Sequence, residues 1–185
     1  MGPLIPDTDG SQLLTTEEVG PLLHAAVQHA GGTLVQWTLD HVDANPSRST
    51  TATYSAVVDW PYGRRTELLG VSAGAGGRTP ADERAEIFRE GDREAVVWLY
   101  PKNPDLPGLA RATYAESVAD LLSDVIGIRL RPDQVKLEMI GYRPRRRAVL
   151  RAIVQPGPGQ GLGQTVFYIK VLRDGVFGEV KLRHE

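Results

Sequence analysis

The sequence predicts an α+β chain in which antiparallel sheet predominates and a few helices cover it. Three observations carry this. Strand-forming runs recur at 33–42, 50–60, 65–72 and 94–100, and again at 135–142, 147–154 and 165–174. Turn-formers such as Asn45-Pro46-Ser47 and Pro61-Tyr62-Gly63-Arg64 separate them, which is the pattern of hairpins and meanders. Two segments, 19–30 and 109–126, instead repeat apolar residues at helical spacing.

Composition bounds the rest. At 185 residues a single moderate core is possible, but the segment pattern fits two small subdomains better. A net charge of −2 gives no general affinity for nucleic acid or an anionic membrane. There is no cysteine, which excludes disulfides and thiolate chemistry. No apolar run has the length of a bilayer span, and the first residues lack the charged and hydrophobic regions of a signal peptide, so the cytoplasm is the expected compartment. High Ala, Gly and Arg usage suits a GC-rich bacterial source.

In chain order, residues 1–12 read as a frayed leader. Thr15-Thr16-Glu17-Glu18 is a capping box in which Thr15 and Glu18 satisfy each other's amides. Val19, Leu22, Leu23, Ala26, Val27 and Ala30 then form one apolar stripe, ended by Gly31-Gly32. His24 and His29 do not share a helix face, and His41 points away from Asp40 on a strand, so neither His position predicts a metal site. Three strands follow as a hairpin-rich sheet on the first helix, with Trp37, Trp60 and Trp98 as core or boundary aromatics. Residues 73–78 form a Gly-rich loop, and Thr79-Pro80-Ala81-Asp82-Glu83 predicts the start of a short helix. A fourth strand over 94–100 ends at Pro101, and the three prolines of 101–107 make a rigid connector. The second helix spans 109–126, with Leu109, Ala112, Ala115, Ala119, Leu122 and Ile126 along its buried side and Gly127 as its stop. These elements, 13–128, are assigned to one α+β subdomain, and 129–185 to another.

The second subdomain holds the residues that could carry chemistry. Its three strands form an antiparallel meander joined by a basic turn, Arg143-Pro144-Arg145-Arg146, and by the Gly/Pro loop 155–164. That loop matches neither the Walker spacing nor G-x-G-x-x-G and leads into a strand, so it reads as a flexible connection. In the strand T-V-F-Y-I-K-V-L, a period of two puts Val166, Tyr168, Lys170 and Leu172 on one face and Phe167, Ile169 and Val171 on the other. A lysine there either meets an anionic partner or is an edge-strand cation that blocks aggregation. After Asp174-Gly175, residues 176–185 have helix-forming composition and carry Glu179 and Glu185.

The hairpin Tyr142 to Arg151, the V-F-Y-I-K-V-L-R strand and the K-L-R-H-E run ending at Glu185 together resemble the amino-terminal lobe of aminoglycoside phosphotransferase-like kinases. The earlier segment order is similar to the amino-terminal cap of maltokinase-like bacterial proteins. The resemblance implies that Lys170 binds nucleotide phosphate and that Glu185, with Glu179 as second choice, orients it. It implies that Tyr168 lies under the adenine, where such kinases place a small residue, and that the basic turn, with Arg143, Arg145, Arg146 and Arg147, lies over the phosphates in place of a Gly-rich loop. It also implies ATP as cofactor, with magnesium and the catalytic aspartate supplied by a second lobe. No H-x-D-x-x-x-x-N segment occurs in this sequence, so the chain is expected to be the front part of a longer kinase and not itself catalytic. The expected function is ATP-dependent phosphorylation of a hydroxyl on a small molecule such as an aminoglycoside or sugar. A non-catalytic nucleotide-binding or regulatory module and a plain interaction domain are the alternatives.

Overall fold

A computed structural model describes residues 9–45, 48–75, 79–161 and 163–175. The chain divides into two compact units, Met1–Pro104 and Asp105–Glu185.

The first unit opens with a short helix, α1 (Ser11–Thr15), a single 3-10 turn (Glu17–Val19) and α2 (Gly20–His29). Five strands follow: β1 (Thr33–Asn45), β2 (Ser49–Trp60), β3 (Gly63–Ala75), β4 (Glu86–Glu90) and β5 (Arg93–Leu99). They form one antiparallel sheet in the order β1-β2-β3-β5-β4. Leu14, Val19, Leu23 and Val27 pack with Ala52, Tyr54, Ala56, Val58, Leu69 and Val71 in the core of this unit. The alternation of Ala52, Tyr54, Ala56 and Val58 is the period of two that turns one strand face toward the helices. Tyr54 is fully buried, its hydroxyl donates to the Leu14 carbonyl at 2.6 Å, and its ring meets Trp37 edge-on. Gly70 has its own role on the other face, because a Cβ there would stand 2.2 Å from the indole of Trp98, its partner on β5.

The second unit contains α3 (Leu109–Ala112), α4 (Ala115–Ile126) and an antiparallel sheet of β6 (Val135–Arg143), β7 (Arg147–Val154) and β8 (Thr165–Leu172), with β7 central. Val118, Ala119 and Leu122 of α4 pack with Val135, Ala152 and Val154, and with Phe167 and Ile169. That packing is why the division falls at Pro104/Asp105 and not near Ile128: the apolar side of the helix is buried by the strands that follow it. Gly127 closes α4 in the left-handed conformation. Among the described residues, no helix is long and apolar enough to cross a membrane.

Several local expectations change. Asp9 to Gln12 are ordered parts of the fold, since the Asp9 carbonyl accepts from Thr50 N–H at 2.8 Å and Gly10 is buried, while residues 1–8 lie outside the described set. The cap is displaced by one residue: Thr16 accepts from the Glu18 amide, whereas the Thr15 hydroxyl donates back to the Ser11 carbonyl. No helix starts at Thr79. The Asp82 carboxylate takes the Arg84 amide and guanidinium in a local turn, a competitor to helix that short acidic side chains favour. β4 follows, and Gly91-Asp92 makes the tight connection to β5. The single helix expected over 109–126 is two, because Tyr114 adopts an extended backbone between them.

Candidate functional site

The residues singled out for phosphate lie on the sheet of the second unit, and its register decides which of them share a face. One face is apolar and packs with α4: Ala148, Leu150, Ala152 and Val154 of β7 are buried there. On the opposite face the side chains form rows across the three strands. Lys136, Ile153 and Val166 make one row, Glu138, Arg151 and Tyr168 the next, then Gly141, Val149 and Lys170, then Arg143, Arg147 and Leu172. A bulge between Met139 and Gly141 lets Gly141, and not Ile140, stand opposite Val149.

The second row is electrostatically closed. Arg151 Nε donates to Glu138 Oε2 at 3.0 Å, and its terminal nitrogen also contacts that oxygen. Lys136 Nζ lies 3.1 Å from Glu138 Oε1. Hydrogen bonding from Arg151, then from Lys136, holds the Glu138 carboxyl below the usual range. Hydrogen bonding to Glu138 in turn raises Arg151.

Lys170 differs from its neighbours. It is exposed, and its ammonium forms no ion pair or side-chain hydrogen bond with another described residue. Its row is low: Val149 is its β7 neighbour, and nothing lies within 4 Å of the position a Cβ would take at Gly141. Tyr168, two residues before Lys170, is on the same face and 67% exposed. β8 is an edge strand of the described sheet.

The basic turn does not act as a block. Pro144 and Arg145 occupy its corner, with Arg146 N–H donating to the Arg143 carbonyl at 3.0 Å and Arg145 at φ 61. Positive φ at that position is the type II pattern, usually filled by glycine. The Arg145 guanidinium forms an ion pair with Asp105, so it is already neutralised. Arg146 is exposed within the turn. Arg143 and Arg147 flank the turn directly opposite each other, on the same face as Lys170. Glu179 and Glu185 lie outside the described residues, so the lysine–glutamate pairing inferred from the sequence is not part of the described geometry.

The Gly/Pro loop is tied down over its described part. Gln160 Oε1 accepts from Gly157 N–H at 2.6 Å and from Gln134 Nε2 at 3.0 Å, while Gln160 Nε2 donates to the Arg129 carbonyl at 3.0 Å. Gln134, buried in the turn before β6, is the anchor that strand and helix patterns do not disclose.

Described residues of the first unit line clefts in the surface. One, of about 560 Å³, includes Leu13, Leu22, Phe88 and Arg93 in its wall. Another, of about 450 Å³, includes Trp60, Tyr62, Glu67, Glu86 and Lys102. In the latter the polar groups serve one another: Trp60 Nε1 donates to Glu67 at 2.9 Å, and His29 pairs with Glu86 at 3.1 Å. Among the described residues, no three His, Asp or Glu side chains gather as a metal site.

No protein-family model, curated protein or solved structure matches the chain.

Proposed function

We propose that the second unit supplies the phosphate-binding side of a nucleotide site in an ATP-dependent phosphotransferase that acts on a hydroxyl of a small molecule. The observation that carries this reading is the state of Lys170. It stands exposed on the face away from α4, unneutralised among the described residues, beside a row that leaves room above Gly141 and Val149. An ammonium in that position can meet phosphate oxygens without first breaking an ion pair. The resemblance of the 142–151 hairpin and the lysine strand to a kinase lobe adds the nucleotide and the reaction class. Transfer itself requires a catalytic carboxylate and magnesium ligands, which that resemblance assigns to a second lobe.

β8 lies at a sheet edge, which also suits a lysine whose task is to discourage strand pairing. Calorimetric titration of ATP into the chain and into its Lys170→Ala variant separates the two. The phosphate role predicts a loss of about tenfold or more in affinity, the scale of one charge-assisted contact. Equal binding by both proteins would reject it.

A further inference from the structure

The open face of the second sheet carries five cations in register, and they fall into two groups. Lys136 and Arg151 share one carboxylate, Glu138. Arg143, Arg147 and Lys170 share none: no ion pair or side-chain hydrogen bond joins any of them to another described residue.

Their spacing makes this notable. Arg143 and Arg147 are directly opposite each other across β6 and β7, the position at which like charges destabilise a sheet. Lys170 pairs with Val149, which makes Arg147 its diagonal neighbour, at a separation of roughly 7–8 Å that long side chains readily span. Arg151 is the other diagonal neighbour, but Glu138 already engages it. Between the two bulky rows lies the low row of Gly141 and Val149. Three same-face cations with no ion pair among the described residues, beside a shallow trough, suit a ligand with several adjacent negative oxygens, since one anion can then relieve the like-charge contacts.

We propose that Arg143, Arg147 and Lys170 form a polyphosphate clamp, in which Arg147 shares the anion with Lys170 while Arg145 is retained by Asp105. The proposal rests on the phosphate role of Lys170 and extends it to a ligand class and to a second and third contact. The guanidinium of Arg147 can grip two oxygens in a fork, and the ammonium of Lys170 supplies a compact charge at the next phosphoryl group. Recognition is then directed at the oligophosphate chain, whatever it is attached to.

The test uses the 185-residue chain and inorganic triphosphate, ATP and adenosine as probes, with affinities read by calorimetry at two salt concentrations. Triphosphate should compete with ATP, adenosine should not, and added salt should weaken binding. Arg147→Gln should weaken triphosphate about tenfold or more, and Arg147→Lys should recover part of the loss because charge is kept while the fork is lost. Lys136→Gln, a same-face cation with its own carboxylate, should bind as the parent does. If Arg147→Gln binds triphosphate normally while Lys170→Ala does not, the clamp is overturned and the phosphate role of Lys170 stands. If both variants bind normally, both ideas fail. Circular dichroism of each variant keeps loss of fold from passing as loss of binding.

Discussion

Along β5, four successive residues, Ala95, Val96, Val97 and Trp98, are buried, so both faces of the five-stranded sheet are covered along this strand. Along β8 burial alternates: Phe167, Ile169 and Val171 turn toward the apolar side, while Val166, Tyr168 and Lys170 are exposed. A strand covered on both sides has no position left for an unpaired charge, because removing an ion from water is expensive. Within the first unit the Glu94 carboxylate is satisfied by its neighbours, taking the Thr79 amide and hydroxyl and the Arg89 guanidinium, whereas the buried Thr50 hydroxyl has no hydrogen-bond partner among the described residues. A strand covered on one side can display cations, and β8 does. The difference teaches where to look for chemistry: the first sheet is specified by fit, the second by what its uncovered face presents.

Substitutions at two glycines give the sharpest contrast. Gly70→Ala would drive a methyl into the Trp98 indole, where a Cβ lies 2.2 Å from the ring, and should destabilise the chain by about 3 kcal/mol or more. Gly141→Ala meets nothing within 4 Å and should stay within about 0.5 kcal/mol of the parent. Urea unfolding of both variants checks the pair, and equal effects would break the comparison. A smaller change is expected from Tyr54→Phe. Its hydroxyl serves the Leu14 carbonyl inside the first core, so the loss should be about 1–3 kcal/mol in the same assay.

The smallest effect concerns acid. Burial disfavours ionisation of Glu94, but hydrogen bonds from the Thr79 hydroxyl and amide, and then from Arg89, outweigh it and hold the carboxyl below the usual range. A depressed folded-state pKa contributes stability above the ordinary glutamate value of about 4.3, and that stability is lost as pH falls through the folded value. Glu94→Gln should therefore flatten the acid-side decline in melting temperature. An unchanged slope below about pH 4.3 would remove Glu94 as a cause.

The sequence made much of this architecture readable, and the exceptions have identifiable causes. β2 and β7 were visible because apolar residues alternate along them, and α2 because its stripe repeats at helical spacing. β4 was hidden because it is five residues long and rich in charge, so that only Ile87 and Phe88 signal a strand. The boundary at Pro104 was missed because a helix stripe does not say which sheet will cover it. For the site, the period of two correctly grouped Tyr168 with Lys170. The roles of Arg145 and Arg147 could not be separated that way, since a left-handed turn residue and a distant Asp105 decide where the first guanidinium goes. The Glu138–Arg151 pair likewise depends on a cross-strand register that no single strand contains.

The extra residue at the β6 bulge sets the parity of everything after it. Glu138 and Arg143 are an odd number of positions apart, and an uninterrupted strand would send them to opposite sides of the sheet. Because Ile140 absorbs one step, both emerge together, with Tyr142 inward and Arg143 outward. Deleting that one isoleucine would leave a regular strand with Arg143 still outward and Tyr142 still inward, whereas flattening the bulge with Ile140 paired into the ladder would turn Arg143 toward the oily side and Tyr142 to water.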